Sequence, residues 1–321
     1  MVNLKDVAQA AGVSVATVSY VLRGAKPVSR EVEARVWQAA RELGYQPNRS
    51  AQTLRTGRSH TLGLLVPDLT NPYFPALVQA IETTGRSLGY ALILIDAQND
   101  PATEHEGLEL LASYRIAGLV WVPVGDPPGP LPFPAVLVDR PAEGFDAVQA
   151  DHYQGGALLA DYALQLGHRR IGLFSGPAEL SSARCRRRGF LAGLKGLKPY
   201  WECAVPFALE LPETALSQLA LNEVTLLVCA NDVVAIGTVR ALKQLGRRVP
   251  EEVSVLGFDD VPWAALLEPP LATVRQPVAE LGRTAVTLLH ERIQAPELPI
   301  RRTVLPVELI PRRSAHRARD A

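Results

Sequence analysis

From Thr61 to about Arg312, short apolar segments alternate with longer segments of helical periodicity. The apolar segments lack regular polar alternation, which is typical of strands buried on both faces, and helical crossovers between them predict parallel pairing. Because so many units exceed one compact sheet, we predict an α/β body of two doubly wound parallel-sheet halves. The segments interpreted as strands are TLGLLVP, ALILIDA, AGLVWVPV, AVLVDR, RIGLFSGP, TLLVCAN and VSVLGFDD.

The length and composition of the chain exclude several classes of protein. Its 321 residues suffice for two or three domains. No run of about 18 apolar residues occurs, so we predict no membrane partner. The N-terminus lacks the basic and apolar regions of a signal peptide, so we expect a cytoplasmic protein. The three cysteines, Cys185, Cys203 and Cys229, are not spaced as CxxC, which argues against a disulfide framework or a zinc site.

The charge of the chain is divided unevenly along its length. Residues 1–58 contain nine Lys and Arg against four Asp and Glu, a net charge of +5, whereas the whole chain is neutral. A small basic segment attached to a mildly acidic body is typical of a module that binds a polyanion. The alternative is a solvated basic face without a function.

The first 46 residues contain three helical patterns separated by short turns. Asn3 can cap the first helix, and Gly12 suits the left-handed conformation that ends it. After one turn Ser14 can cap a second helix, and a third fits residues 30–43. Two short helices joined by a turn that contains glycine predict a helix-turn-helix.

The start of the second helix is the part of a helix-turn-helix that faces DNA base edges. Apolar and phenolic side chains occupy the base-facing positions, and hydroxyl side chains occupy positions suited to phosphates. The alternative is a small three-helix fold with no role in DNA binding. The candidates are Val15, Ala16 and Tyr20 for the bases, and Ser14, Thr17 and Ser19 for the phosphates.

Three segments together resemble the lactose-repressor (LacI) family of bacterial transcription regulators: LKDVAQAAGVSVATVSYVLRG, VSREVEARVWQAARELGYQPNRSAQTLRTGRSHTLGLLVPDLTNPYF and EEVSVLGFDD. The resemblance extends from Leu4 to about Arg312. It implies an N-terminal all-α helix-turn-helix head and a periplasmic-binding-protein-like body with two doubly wound parallel-sheet subdomains.

The resemblance also implies domain boundaries. The head covers residues 1–46, a hinge or linker covers 47–59, and the body covers 60–321. Within the body, the N-subdomain takes 60–150 and 276–302, and the C-subdomain takes 151–275 and 303–312. The chain therefore crosses between the subdomains near Ala150–Asp151, near Arg275–Gln276 and near Thr303.

One residue of the head departs from the family pattern. Many members have an arginine at the position of Tyr20, where it hydrogen-bonds a guanine in the major groove. A tyrosine cannot make that bidentate contact, but its hydroxyl can form one hydrogen bond and its ring can pack on a thymine methyl. We therefore expect a half-site different from those of arginine-bearing members.

Residues 45–61 are interpreted as a linker from their proline and their polar and basic residues. The resemblance implies a hinge helix that is ordered on operator DNA, where Leu54 would be wedged into a base step of the minor groove. The alternative is a flexible tether in which Leu54 has no role. The candidate DNA contacts are Asn48, Arg49, Ala51, Gln52, Leu54 and Arg55.

Polar and aromatic side chains follow several of the predicted strands of the body. Ligands of doubly wound sheets bind beyond the carboxyl ends of the strands. Carboxylates, amides and guanidinium groups beside flat rings predict a site for a polyhydroxylated molecule. The candidates are Asn71, Tyr73, Phe74, Asp139, Arg186, Asn231, Asp259 and Gln276.

The resemblance assigns effector contacts to five of these candidates: Asp139, Arg186, Asn231, Asp259 and Gln276. The segment CAVPFALELPETALSQLALNEVTLLV is shorter and more apolar than its family counterpart, and Phe207 is the candidate for stacking on the effector. Three other residues are interpreted as structural. We expect Asp232 to cap the following helix, Asp260 to serve the fold, and His168 to belong to a helix-to-strand turn.

No catalytic motif accompanies these residues. The sequence lacks GxSxG, HExxH, a P-loop and a GxGxxG after the first strand, so we predict no catalytic residue and no cofactor. Asp259 and Asp260 are adjacent, and on a strand their side chains would point to opposite faces. A sugar-converting enzyme and a solute-binding protein, each with a DNA-binding head, remain as remote alternatives.

The family resemblance implies a homodimeric repressor that binds a pseudo-palindromic operator. The resemblance implies that a small polar effector, a sugar or sugar derivative, binds between the subdomains and changes the affinity for DNA. Release of the operator by an inducer is the main expectation, and a purine- or nucleoside-type corepressor is the alternative. The C-terminal segment PRRSAHRARDA lacks the heptad leucines of a tetramerising coiled coil.

Overall fold

The computed structural model describes residues 2–23, 26–45, 59–125, 129, 131–221 and 223–318. The chain divides into two compact units, Met1–Arg58 and Ser59–Ala321. The predicted hinge contacts lie outside the described residues: Asn48, Arg49, Ala51, Gln52, Leu54 and Arg55.

The described residues of the first unit form the α-helices α1 (Leu4–Ala11), α2 (Val15–Arg23) and α3 (Arg30–Glu42). Asn3 and Asp6 form a capping box at the start of α1, because each side chain accepts a hydrogen bond from the other residue's backbone N–H. Gly12 ends α1 with φ of 64°. The predicted cap and the left-handed glycine are both confirmed.

The other two helices of this unit also begin at the predicted caps. The Ser14 hydroxyl accepts from the backbone N–H of Thr17 at 3.1 Å, and the Ser29 hydroxyl accepts from that of Val32 at 3.4 Å. The three helices share one hydrophobic core. Each helix contributes a completely buried valine to it: Val7, Val18 and Val36. Burial of these apolar stripes holds the short helices together.

The second unit contains two six-stranded sheets. The first sheet has the order β11–β5–β4–β3–β1–β2, and all its pairs are parallel. Apolar residues fill β1, β3 and β4, as expected for strands covered on both faces. Its strands are β1 (Thr61–Val66), β2 (Ala91–Asp96), β3 (Gly118–Trp121), β4 (Ala135–Val138), β5 (Asp146–Ala150) and β11 (Arg302–Leu305).

The second sheet has the order β12–β10–β9–β8–β6–β7. Its pairs are parallel except that β12 runs antiparallel to β10. The strands are β6 (Ile171–Ser175), β7 (Trp201–Ala204), β8 (Leu226–Cys229), β9 (Ser254–Asp259), β10 (Ala272–Arg275) and β12 (Glu308–Ile310).

Helices connect these strands and cover the sheets. They are α4 (Tyr73–Ser87), α5 (Pro101–Ser113), α6 (His152–Gln165), α7 (Ser181–Gly193), α8 (Glu213–Leu221), α9 (Asp232–Gln244) and α10 (Val278–Gln294), with a short 3₁₀ helix at Pro262–Ala265. Helices α4 and α10 pack together, as do α6 and α7. The head and the two doubly wound parallel sheets confirm the predicted fold class.

The chain changes sheet three times. It leaves the first sheet after β5, returns through α10 after β10, and leaves again between β11 and β12. The last change lies between Leu305 and Glu308, just beyond the expected position near Thr303. Thr303 pairs with Val148 inside the first sheet. Strand β11 was not predicted because its residues alternate in exposure and lack the continuous apolar composition of the other strands.

No helix within the described residues combines the length and the apolar composition that a bilayer crossing requires. Cys185 and Cys203 are half-buried and Cys229 is buried, each as a free thiol. Burial raises the pKa of Cys229 to about 12, the opposite of what activates a thiolate.

Candidate functional site

The exposed face of α2 carries the predicted base-reading residues. Val15 and Tyr20 are 41% and 37% exposed. Ala16 is also exposed, whereas Val18 and Val21 of the opposite face are buried. The fold therefore presents Val15 and Ala16 at the start of α2, and Tyr20 further along the helix, as an exposed apolar and phenolic surface.

Hydroxyl groups and one ammonium group border this surface. The Ser14 and Thr17 hydroxyls lie 2.9 Å apart, and Ser19 is half-buried on the same helix. The Lys26 ammonium lies 5.1 Å from the centre of the Tyr20 ring, within range of a cation–π interaction. Donors and a positive charge around an exposed helix start suit the phosphates of a DNA backbone.

In the second unit, a cavity of about 400 Å³ lies between the loops of the two sheets. This volume is within the range of small-molecule sites. Asn71, Arg140 and Phe207 line it, so one predicted contact and the predicted stacking residue face the same space. Arg140 is 8% exposed and its guanidinium donates to the Pro123 carbonyl.

Next to this cavity, a chain of buried polar side chains joins the two sheets. The Tyr73 hydroxyl donates to Gln276 Oε1 at 3.5 Å, and Gln276 Nε2 donates to Asp259 Oδ1 at 2.7 Å. Arg186 Nη1 lies 3.3 Å from the same carboxylate oxygen and donates to the Ala230 carbonyl at 2.8 Å. The Arg186 guanidinium also stacks on the Phe258 ring, with its carbon 3.9 Å from the ring centre.

His152, the first residue of α6, extends this chain to Asp139. Its Nδ1 accepts from Arg186 Nε at 3.2 Å, so the neutral ring has its proton on Nε2. Nε2 lies 2.7 Å from Asp139 Oδ1. The angle between the two groups does not meet the geometry of a hydrogen bond, and neither atom has another partner among the described residues. The contact is therefore close in distance and weak in direction.

Two strand ends hold their carboxylates in unusual backbone conformations. Asp139 has φ of 68° and Asp259 has φ of 122°, and both values are rare for residues with a side chain. Such conformations cost about 1–3 kcal/mol each and persist where the surroundings impose them. Here they aim both carboxylates toward the arginine and histidine between the sheets.

Burial and neighbouring charges shift the pKa values of these groups in different directions. Burial raises the pKa of Asp259 to about 6, although Arg186 and Gln276 oppose the shift. Burial also raises the pKa of Asp139, but its contact with His152 and the charges of Arg186 and Arg140 outweigh that effect and hold the pKa well below its usual range. Burial lowers the pKa of His152, which favours the neutral ring.

The remaining candidates have different surroundings. Asn231 is 1% exposed, and its Oδ1 caps α9 by accepting from the Val234 N–H at 2.9 Å. Asn71 Oδ1 accepts from the Tyr73 N–H at 3.1 Å. Phe74 belongs to the apolar core of the first sheet, with its ring 5.2 Å from that of Tyr73.

Comparisons with known proteins agree with this architecture. The family described as bacterial regulatory proteins, lacI family, matches residues 3–48, and a periplasmic binding protein-like domain matches residues 160–315. The HTH-type transcriptional repressor PurR of Haemophilus influenzae is 33% identical, covering 91% of this chain and 91% of the relative. The ribose operon repressor of Escherichia coli is 33% identical, covering 98% of this chain and all of the relative (100%).

The chain belongs to the lacI family of bacterial regulatory proteins. Among solved structures, it is similar to a lac repressor dimer bound to operator and the anti-inducer ONPF. That similarity has a TM-score of 0.83 and 29% sequence identity, covering 98% of each chain. The family resemblance drawn from the sequence motifs is confirmed.

In this lacI-family protein, the structure corrects the capping role that was expected of Asp232. Asp232 does not cap α9, because that cap is Asn231. Asp232 is fully buried and accepts from the Val261 N–H at 2.9 Å and the Thr273 hydroxyl at 2.6 Å. Burial raises its pKa well above the usual range.

The other structural assignments agree with expectation. Asp260 pairs with Arg275 at 2.7 Å and with Arg312 at 2.6 Å, outside the buried chain. His168 lies between the Thr225 hydroxyl at 2.9 Å and the His316 carbonyl at 3.0 Å. Within the described residues, no group of three or more His, Cys, Asp or Glu is arranged to hold a metal ion.

Sequence interpretation missed His152 as a member of the buried chain. The strand before it, DAVQA, is short and was not recognised, so the position of His152 at a strand's carboxyl end was hidden. The apolar residues of DAVQA were the sequence signal for this strand, and recognising it would have placed His152 at a strand's carboxyl end. Trp263, also missed, lines the cavity from the 3₁₀ helix after β9.

Proposed function

We propose that this protein is a sequence-specific DNA-binding repressor whose operator affinity depends on a small polar effector. The observation that carries the proposal is the combination of a basic helix-turn-helix unit with a cavity next to a buried polar chain that joins two sheets. In this proposal the protein is a cytoplasmic homodimer and not an enzyme.

Support for operator binding comes from the head. Exposed Val15, Ala16 and Tyr20 read base edges, and Ser14, Thr17 and Ser19 contact phosphates. Two heads in a dimer face two half-sites of a pseudo-palindrome. The similar lac repressor structure is a dimer bound to operator, which supports the same assembly here. The hinge role of residues 47–59, with Leu54 as the wedge, belongs to this proposal.

Support for an effector comes from the buried chain. Tyr73, Gln276, Asp259 and Arg186 are joined across the two sheets, and His152 lies between Arg186 and Asp139. A ligand whose hydroxyls replace these pairings binds more tightly to one relative position of the subdomains than to another. It shifts the equilibrium between these two positions only by the difference in its affinity for them. A sugar or sugar derivative has the required hydroxyls, and one relative is named a ribose operon repressor.

Release of DNA on effector binding is the main form of this proposal. Corepressor behaviour, with a purine or nucleoside that strengthens DNA binding, is the second form. The two forms differ in the sign of the change in DNA affinity when ligand is added.

The test uses double-stranded oligonucleotides that the full-length protein selects from a randomised pool. We expect a two-fold symmetric site whose affinity falls steeply with salt. Tyr20→Arg should introduce a guanine preference at one position of each half-site, worth about 1–3 kcal/mol of discrimination. Tyr200→Arg, the same change at a 59% exposed residue of the body, is the matched control.

Two results would contradict the proposal. Selection without a common sequence would remove the role of the head as a specific reader. A Tyr20→Arg variant that selects the same bases as the wild type would remove Tyr20 from the reading surface. Addition of a panel of sugars, purines and nucleosides to the selected complex then tests the effector, since the proposal requires at least one to change the DNA affinity.

A further inference from the structure

His152 has a different neighbour at each ring nitrogen, and only one of the two contacts has the geometry of a hydrogen bond. Its Nδ1 accepts the Nε–H of Arg186 at 3.2 Å. On the other side of the ring, His152 Nε2, Asp139 Oδ1 and Arg140 Nε are buried and make no hydrogen bond to a described group. The directed contact of the ring is therefore the one to Arg186.

The backbone holds both side chains of this contact in place. The Asp151 side chain caps α6 by accepting from the Gln154 N–H at 2.8 Å, which fixes the first turn, where His152 lies. In α7, the Arg186 carbonyl packs so closely against α6 that a Cβ atom added at Gly156 would lie 2.1 Å from its oxygen. The distance between the imidazole and the guanidinium is therefore set by the packing of the two helices.

The ring of Phe258 packs against both side chains. The Arg186 guanidinium carbon lies 3.9 Å from the centre of this ring, and the His152 ring lies 6.0 Å away at an angle of 40°. Gly155 allows the approach, since a Cβ atom added there would lie 2.5 Å from Cε2 of the phenyl ring. The phenyl ring thus fixes the plane of the guanidinium, and the hydrogen bonds from Nε and Nη1 fix its rotation within that plane.

The contact requires a neutral imidazole. A guanidinium has only donors, so Nδ1 can accept from Arg186 only while this nitrogen carries no proton. Burial lowers the pKa of His152, and the charge of Arg186 acts in the same direction, whereas Asp139 and Asp151 oppose the shift. The contact is therefore present at pH 7 and is lost as the pH falls below the ordinary histidine pKa of about 6.5.

Asp259 also changes its charge in this range, since its pKa is about 6. Its Oδ1 lies 3.3 Å from Arg186 Nη1, so protonation of this carboxylate also loosens the guanidinium. A pH profile of the site therefore contains two contributions, which variants of His152 can separate. The other ionisable groups around the pair are Asp139 and Arg140 at the end of β4, Asp151 of α6 and Tyr73 of α4.

We propose that His152 is a positioning residue of the effector site: its neutral imidazole holds the Arg186 guanidinium in place, and uptake of a proton from water releases it. This inference rests on the proposed function, in which Arg186 contacts the effector. Effector affinity is then linked to protons, because the effector binds best to the form with a neutral ring and a fixed arginine. A side chain that is already fixed need not be ordered on binding, so loss of the contact should weaken effector binding roughly tenfold.

The first experiment observes the ring itself. Nitrogen NMR of the full-length protein with isotope-labelled histidine distinguishes the two neutral tautomers from the charged ring, and His152→Asn identifies the signal of His152. We expect a neutral ring at pH 7 with its proton on Nε2, and a charged ring only below about pH 6.5. A neutral ring with its proton on Nδ1, or a ring already charged at pH 7, would overturn the inference.

Two substitutions separate the roles of the two ring nitrogens. Asparagine places its Oδ1 where Nδ1 lies, because both atoms follow Cγ, so His152→Asn keeps an acceptor for Arg186 but has no group that titrates. Glutamine places its terminal amide where Nε2 lies and a carbon where Nδ1 lies, so His152→Gln keeps only the reach toward Asp139. A positioning role through Arg186 predicts that the shorter asparagine replaces the histidine and that glutamine does not.

The second experiment uses the panel compound, defined as the sugar, purine or nucleoside of the panel above that changes the DNA affinity. Calorimetric titration measures its binding to the full-length wild type and variants. At about pH 7.5, His152→Gln should bind it roughly tenfold more weakly than the wild type, and His152→Asn should stay within about threefold. As the pH falls to about 5.5, the wild type should weaken more than His152→Asn, which retains only the contribution of Asp259.

His168→Asn is the matched control. His168 is also buried, but it lies between the Thr225 hydroxyl and the His316 carbonyl and does not line the cavity. This variant should keep both the affinity and the pH profile of the wild type. Thermal unfolding shows whether each variant is folded. If His152→Gln is not, the tautomer of the wild type and the pH profile of His152→Asn still decide the question.

Three results of the titrations would contradict the inference while the proposed function stands. They are equal binding by the wild type and His152→Gln, equal weakening by the two His152 variants, and coincident pH profiles of the wild type and His152→Asn. If no compound of the panel changes the DNA affinity, the proposed function fails instead. The tautomer of His152 then still shows whether the ring holds Arg186.

Discussion

The contact between α6 and α7 allows a sharp test of how closely the helices of the body pack. Gly156 of α6 faces the backbone of α7, where an added Cβ atom would lie 2.1 Å from the Arg186 carbonyl oxygen and 2.7 Å from the Phe190 N–H nitrogen. Gly189 of α7 faces the Tyr153 carbonyl in the same way, at 1.9 Å. Gly156→Ala therefore requires the two helices to move apart.

The size of the effect follows from these distances. Ordinary contact with a Cβ atom begins near 3.4 Å, so the Arg186 carbonyl must retreat by more than an ångström. Overpacking costs about 1–3 kcal/mol, and we expect the upper end because the obstacle is backbone and not a flexible side chain. The better helix propensity of alanine returns about 1 kcal/mol. The net loss is about 1–2 kcal/mol, which lowers the Tm of the body by roughly 2–8 °C.

Calorimetric unfolding of the full-length protein measures this loss, with Gly85→Ala as the matched control. Gly85 also lies inside a helix, but its added Cβ atom would meet Leu62 Cδ1 at 3.8 Å and Tyr90 Cβ at 4.0 Å, both ordinary contacts. The control should therefore be neutral or more stable than the wild type by up to about 1 kcal/mol. A Gly156→Ala variant as stable as the Gly85→Ala variant would refute the packing argument.

Three further changes test separate parts of the molecule. Asp259→Asn should match the wild type near pH 4 and exceed its stability above pH 7, by up to about 3 kcal/mol, in thermal unfolding across that pH range. Ser314→Ala should cost about 2–4 kcal/mol in urea unfolding, because the buried Ser314 hydroxyl accepts from the Ala272 N–H at 2.8 Å and donates to the Val255 carbonyl at 2.6 Å. Leu54→Ala should weaken binding to selected operator DNA by a few kcal/mol at most, with effector affinity unchanged in calorimetry.

The sign of the pH effect follows from the raised pKa of Asp259. A carboxyl group whose pKa is higher in the folded state contributes its stability below the unfolded pKa, and this is lost as the pH rises through about 6. The neutral amide of Asn avoids that loss. An advantage for the variant that is equal at pH 4 and pH 7 would show that ionisation of Asp259 is not the cause.

The Ser314 change has a matched control, and the Leu54 change has an outcome that would contradict it. Ser113→Ala removes an exposed hydroxyl that donates to the Leu110 carbonyl at 2.6 Å, and it should change stability by less than about 0.5 kcal/mol. A Ser314→Ala variant as stable as that control would mean that the two backbone groups find other partners. Unchanged operator affinity for Leu54→Ala would exclude the wedge.

Local features of the chain were predictable from the sequence. Asn3, Ser14 and Ser29 cap their helices as expected, because a cap depends on the residue itself and on backbone groups within three positions. The long apolar strands were equally clear, since burial on both faces leaves a continuous apolar run. The family motifs added the two-subdomain body and several members of the buried chain.

Other features were decided by the tertiary structure. Strand β11 has alternating exposure and becomes a strand by pairing with β5, so the third crossover was placed too early. Nothing local distinguishes Asn231 from Asp232, both able to cap a helix. Asp232 is buried because its carboxylate accepts hydrogen bonds from the Val261 N–H and the Thr273 hydroxyl, which are distant in sequence. The position of His152 between Asp139 and Arg186 likewise depends on where α6 and β4 meet. The sequence by itself determines the hydrogen bonds and the burial that are satisfied within one turn or strand. Pairing between distant segments exists only once the sheets are assembled.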